Sequence, residues 1–181
     1  MRFDSLDVAG AFAVGSETAV DERGAFSRIF SAREFAERGL VDRFVQHGVS
    51  LNARRGTVRG IHYQAAPFLE TKLVRCVRGV VFDVIVDLRT TSPTYRRWCG
   101  VKLSAASRNA VYIPQGCAHG FQTLADDCEL EYLITPEYVP AAARGIRWDD
   151  PLIAVDWPIK TGIVVSERDR HLPSIDAVEM Q

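Results

Sequence analysis

Alternation of apolar and polar side chains dominates the chain from about residue 44 onward. Over residues 80–88, Phe82, Val84, Val86 and Leu88 fall on one face and Asp83 and Asp87 on the other. That two-residue period predicts a strand with one buried side. Residues 72–78, 95–104, 110–113, 120–125 and 128–135 read as further strands, broken by Gly79, by Thr90-Thr91-Ser92-Pro93 and by similar turns. Short strands with turn residues between them predict an antiparallel sandwich or barrel. One short peripheral helix is predicted over residues 32–38, with Ser31 as N-cap, Glu34 as its capping-box partner and Gly39 closing it. The last forty residues carry more Pro, Asp and Arg and are expected to wrap the outside, over Trp98, Trp148 and Trp157 as packing residues. In strand 128–135, Cys128, Leu130, Tyr132 and Ile134 share a face opposite Glu129 and Glu131, so the Tyr132 phenol points inward. A buried hydroxyl needs a partner, and a barrel interior that holds a ligand could supply one.

Composition narrows the class. A length of 181 residues predicts a single domain over 1–181. With 47% hydrophobic residues and a net charge of -1 from 22 basic and 23 acidic side chains, the chain is neither disordered nor a basic nucleic-acid binder. No uninterrupted apolar run is long enough to span a membrane, so no membrane partner is expected. Arg2, Asp4, Asp7 and Glu17 argue against a secretory signal at the start. Cys76, Cys99, Cys117 and Cys128 show no CxxC pairing, which predicts free thiols in a reducing cytoplasm.

The chemistry concentrates in residues 54–72. Strict alternation puts Gly60, His62 and Gln64 on one face and Arg59, Ile61 and Tyr63 on the other. Taken singly, an Arg or His here reads as part of a solvated basic edge. Lys72 follows His62 by ten residues, a spacing at which two adjacent antiparallel strands could bring them side by side. An imidazole and an ammonium facing one cavity suit proton abstraction next to a carbonyl. A second segment, Ile113-Pro114-Gln115-Gly116-Cys117-Ala118-His119-Gly120-Phe121, resembles the second motif of the cupin superfamily. The first cupin motif would read His62-Tyr63-Gln64 and lacks its second His, leaving His62, His119 and Glu70 as an alternative two-His, one-carboxylate metal site.

Read together, RGIHYQ, KLVRCVRGVVFDVIVDLR, SPTYRRW, IPQGCAHGF, EYLITPEY, RGIRWDDP, DWP and SERD, with DERGAF near the start, strongly resemble the dTDP-4-dehydrorhamnose 3,5-epimerase family over residues 20–170. The resemblance implies a mainly β, jelly-roll cupin-type fold, a homodimer, and a cytoplasmic isomerase without metal or cofactor. Its reaction would invert the centres flanking the ketone of a nucleotide-linked 4-keto-6-deoxyhexose. It also implies a base at His62 held by Asp169, an acid at Tyr132 and a cation beside the enolate at Lys72. Phosphate-binding arginines would be Arg23 and Arg59, nucleotide-contacting aromatics Phe26 and Tyr138, and a pocket histidine His119; Gln46 and Arg168 join the substrate-binding set. Arg23, Arg59 and Lys72 are thus expected to converge on one cationic cavity.

The chain departs from the family pattern at Arg28 (usually Glu), Gly48 (commonly Asn), Glu131 (usually aromatic or aliphatic) and Cys117 (often Phe or Tyr). The first two fall in the region that contacts the nucleotide base, so base preference stays open. So does the number of inverted centres, because single-centre C3 or C5 epimerases share these residues and small pocket changes decide how far the sugar ring can flip. A metal-dependent cupin enzyme and a non-catalytic sugar-nucleotide binder stay open as well. A strand-rich N-terminal segment could pair across a subunit boundary.

Overall fold

The computed structural model describes residues 1–178, so the last three residues of the domain expected over 1–181 lie outside the described residues. The first strands are β1 (Arg2–Ser5), β2 (Phe12–Gly15), β3 (Thr18–Asp21), β4 (Gly24–Ser27), β5 (Gln46–Asn52), β6 (Val58–Gln64) and β7 (Thr71–Arg78). After them come β8 (Val80–Asp87), β9 (Trp98–Ser104), β10 (Ala110–Ile113), β11 (Cys117–Thr123), β12 (Cys128–Thr135) and β13 (Ala143–Gly145). Two antiparallel sheets, ordered β1-β2-β10-β7-β12-β5 and β13-β6-β11-β8-β9, face each other, and β3 and β4 form a separate hairpin. The sandwich core between them includes Val74, Val111 and Leu130 from the first sheet and Val81, Ile85, Leu103 and Phe121 from the second. This is the mainly β, antiparallel sandwich expected.

The pattern of β8 is as predicted, but its burial is not. Val84, Val86 and Leu88 pack with Ile146, Ile153, Trp157 and Val165 of the C-terminal segment, with Phe82, Trp98 and Trp148 against them, on the outer face of the second sheet. Asp83 and Asp87 are themselves fully buried. Both faces of β8 are therefore covered: the last forty residues wrap its Val84–Val86–Leu88 face, while the Asp83–Asp87 side, which alternation alone would leave to water, looks across the sandwich to the first sheet. The strand expected over 95–104 begins at Trp98, since Arg96 and Arg97 spend their N–H groups on the Asp87 and Thr94 carbonyls in a turn. The strand expected over 120–125 begins at Cys117 and is buried along its whole length, leaving no alternation to mark its start. The helix α1 (Ala32–Ala36) is shorter than predicted, and Ser31 makes no side-chain cap. Glu34 is drawn instead to the Met1 amine at 2.7 Å, so the capping box does not form.

Asp87 organises the turn between β8 and β9: its carboxylate accepts hydrogen bonds from Arg89, Ser92 and Thr94. Burial pushes its carboxyl up, but the Arg89, Ser92 and Thr94 donors outweigh burial and bring it down to about 2. A carboxyl lowered in the fold contributes stability above its unfolded value near 4, and that contribution fades as pH falls toward 2. Asp87→Asn is expected to cost about 2 kcal/mol at pH 7 and progressively less below pH 4. Urea unfolding at both pH values checks this; a pH-independent difference would remove the charge from the explanation.

The four thiols are free and buried. Among the described residues no helix is long and apolar enough to cross a membrane.

Candidate active site

A cavity of about 290 Å³ opens between the two sheets. The second sheet contributes Arg59, His62 and Gln64 from β6 and His119 and Phe121 from β11. The first contributes Lys72 from β7, Tyr132 from β12 and Ser50 from β5. His62 and Lys72 therefore do not sit on adjacent strands, as their spacing suggested; they face each other across the sandwich. The segment between β6 and β7 crosses from one sheet to the other instead of turning a hairpin.

A bulge corrects the alternation expected in β6. His62 pairs with His119, yet Arg59 pairs with Phe121, so Gly60 and Ile61 oppose the single Gly120. The extra residue lets Arg59 and His62 both face the cavity while Val58 and Ile61 pack outward under the C-terminal segment. Only glycine fits at 60: a Cβ would lie 2.6 Å from Gly120 Cα and 2.9 Å from the His119 carbonyl oxygen.

His62 Nε2 lies 2.7 Å from the Asp169 carboxylate. Asp169 also accepts the Gly60 N–H at 3.2 Å. It stands in the short helix α2 (Glu167–Arg170), where the Ser166 cap accepts its backbone N–H. Burial pushes the Asp169 carboxyl up, but His62 and the Gly60 N–H outweigh that and leave it below its ordinary value, hence ionised. An ionised acceptor at Nε2 assigns the proton to that nitrogen and leaves Nδ1 as the basic one.

Lys72 Nζ pairs with Glu70 at 2.8 Å, both nearly buried. His119 Nε2 is held by Asp83 at 2.8 Å, and its ring meets Tyr132 edge to face at 6.3 Å between centroids. Burial raises Asp83, opposed by His119. Burial likewise raises the Tyr132 phenol well above its ordinary value, with the Ser50 hydroxyl at 2.9 Å opposing. Tyr132 is thus neutral and carries a proton at neutral pH. His62, His119 and Glu70, the alternative metal set, each have a separate charged partner, and among the described residues no cluster of three or more His, Cys, Asp or Glu is arranged to hold a metal ion.

The remaining residues divide. Tyr138 and Arg168 line the cavity; Gln46 does not, but its side-chain oxygen accepts the Tyr138 N–H at 3.0 Å. Arg23 and Phe26 lie on the β3–β4 hairpin outside this cavity, with Arg23 paired to Asp21, so within one chain Arg23 does not converge with Arg59 and Lys72. Sequence reasoning missed Ser50, Asp83 and Arg144. Arg144 lies in the RGIRW motif, whose spacing alone points to no chemistry; Asp83 shows only as the polar side of β8, and Ser50 carries no signal of its own. Of the departures, Glu131 pairs with Arg75 at 2.7 Å beside Phe30 and Leu133, Arg28 lies 3.7 Å from Glu34, Cys117 is in the core, and Gly48 has open space around it.

The family model described as dTDP-4-dehydrorhamnose 3,5-epimerase matches residues 5–177. The chain belongs to that family. As a member it is an isomerase, an epimerase acting on carbohydrates. A dTDP-4-dehydrorhamnose 3,5-epimerase from Sinorhizobium fredii is 42% identical, over 97% of this chain and 90% of its own. A dTDP-4-dehydrorhamnose 3-epimerase from Streptomyces niveus is also 42% identical, over 94% of this chain and 82% of its own. Among solved epimerase structures, the enzyme from Legionella pneumophila in complex with dTDP-4-keto-L-rhamnose superposes with a TM-score of 0.92 at 34% identity, covering 98% of this chain and 94% of that one.

Proposed function

We propose that this epimerase inverts the C3 and C5 centres of a dTDP-4-keto-6-deoxyhexose, with His62 as base and Tyr132 as acid. The observation that carries the reading is that these two groups project into one cavity from opposing sheets. Inversion requires a proton to leave one face of the carbon and another to arrive on the opposite face. A single side chain cannot do both.

The steps balance. His62 Nδ1 takes the proton alpha to the ketone; the C–H electron pair forms the enolate C=C bond and the carbonyl π pair moves onto oxygen. The Tyr132 hydroxyl then protonates the same carbon from the other side while the carbonyl reforms. Solvent returns a proton to Tyr132 and removes one from His62. Lys72 supplies the cation at the developing oxyanion, a contribution of about 3–4 kcal/mol for one preorganised donor. Lys72→Met is expected to lower turnover about 10²–10³-fold. The Glu70→Gln/Lys72→Met double variant should recover stability but not activity. A double variant that regains turnover would show that the loss came from the unpaired Glu70.

Arg59 and Arg168 at the cavity suit a diphosphate through guanidinium–phosphate hydrogen bonds. The thymidine diphosphate carrier is read from the relatives, and a binding comparison of thymidine, cytidine, guanosine and uridine diphosphates tests it. Relatives of equal identity are named for one centre and for two. Incubation with the keto-sugar nucleotide in deuterated buffer counts the centres: deuterium is expected at C3 and C5, and its absence from both would overturn the reading.

The working form is a homodimer in which Arg23 and Phe26 reach the cavity of the second copy. Two features support this. Strand β5 is a sheet edge with Val49 and Leu51 at 58% and 57% exposure, and the isolated hairpin carries Val20 and Phe26 at 76% and 71%. A lone two-stranded hairpin is marginal in water, and an apolar edge invites pairing. Light scattering should give twice the chain mass, and Arg23→Ala should weaken nucleotide binding without changing the Lys72 or His62 surroundings. A monomer with wild-type affinity would overturn it.

A further inference from the structure

Asn52, at the end of β5, is one of the most buried polar side chains, at 2% exposure. Its Oδ1 accepts from Arg59 Nε at 2.6 Å. That contact sets its orientation, because a flipped amide would put two donors against each other. Nδ2 then points to the Ser50 hydroxyl at 3.3 Å, the Ser50 carbonyl at 3.4 Å and the Cys128 carbonyl at 3.3 Å. Ser50 Oγ lies 2.9 Å from the Tyr132 hydroxyl.

One polarity can run the length of this row. The Arg59 cation donates to Asn52, the Ser50 hydroxyl is among the three acceptors within reach of Asn52 Nδ2, and a Ser50 hydrogen turned to the Tyr132 oxygen continues the same sense. In that arrangement Tyr132's own hydrogen is directed away from Ser50, toward the cavity. Aligned hydrogen bonds polarise one another, and a cation at the head strengthens the effect. The row also holds Arg59, whose NH2 group bonds the Leu51 carbonyl at 3.2 Å, at the cavity wall.

We infer that Asn52 is a positioning residue: through Ser50 it keeps the Tyr132 proton aimed at the substrate and favours its release, and it ties the acid to the arginine that meets the diphosphate. This rests on the reading of Tyr132 as the acid. With aspartate at 52, the carboxylate would still accept from Arg59 but could not donate to Ser50. Ser50 would turn its hydrogen to residue 52, and Tyr132 would spend its proton on Ser50.

The test measures two processes in deuterated buffer with the full-length enzyme: inversion in the product, and deuterium entering recovered, uninverted substrate. The second does not need Tyr132, because His62 can return a solvent-derived deuteron to the face from which it took the proton. In Asn52→Asp and Ser50→Ala, inversion should fall about tenfold or more while exchange into substrate stays near the wild-type rate. Ser50→Thr should restore inversion, and Ser50→Ala should bind thymidine diphosphate as the wild type does. Inversion and exchange falling by one common factor, or neither changing, would overturn the inference. A wild-type enzyme that puts deuterium into neither product nor recovered substrate would overturn the reading of His62 and Tyr132 as base and acid.

Discussion

Replacing His62 by Asn is expected to lower turnover by about 10³-fold or more and to stop solvent deuterium entering any centre of the substrate. Asn retains a donor for Asp169, which His62 meets at 2.7 Å, so the fold around α2 should be kept. Thymidine diphosphate binding should persist, since no step of binding uses the imidazole base. Loss of turnover with exchange intact would mean that another group removes the proton. Asp169→Asn should act in the same direction, because a neutral amide neither fixes the imidazole tautomer nor stabilises the imidazolium.

Tyr132→Phe is expected to separate the two halves of the reaction. Inversion should fall about 10²–10⁴-fold, the usual range for losing a general acid, while exchange into recovered substrate continues. The removed hydroxyl's one partner is Ser50, which is only half buried and open to water, so stability should change little. The measurement is deuterium content in substrate and product by NMR. If Tyr132→Phe and His62→Asn gave the same profile, with neither exchange nor inversion, the assignment of base and acid to separate residues would fail.

Much of the fold was legible because two signals repeated. Alternation marked β8 and β12, and Gly79 and the Thr90–Pro93 turn set the limits of β8. Strands 110–113 and 128–135 were read to the residue. Where the reading slipped, a contact distant in sequence intervened. The Glu34 side chain bonds the Met1 amine instead of the helix cap, and Arg96 and Arg97 turn toward Asp87 and Thr94. Strand β11 is covered on both faces and so shows no alternation at its start.

The site was legible chiefly as a set of motifs. His62, Lys72, Tyr132 and His119 were named from the sequence and all line one cavity, whereas Asp169 in an ordinary charged stretch had only the family resemblance to recommend it. Ser50, Asn52 and Asp83 were invisible because their importance lies in the partner each meets, not in their own spacing. Arg59 was assigned to the wrong face because one extra residue at Gly60 shifts the period by one, and no composition rule reveals which glycine marks a bulge.

By itself, then, the sequence determined the sandwich class, the inward face of Tyr132 and the family, since periodicity and ordered motifs are properties of neighbouring residues. Only the tertiary structure decided that His62 and Tyr132 stand on opposite walls, that Asp83 and Asp87 are interior, and that Arg23 lies outside its own chain's cavity. The reason is physical: alternation states which side of a strand is apolar. Which sheet the strand joins, and what covers its far side, depends on pairings between residues tens of positions apart.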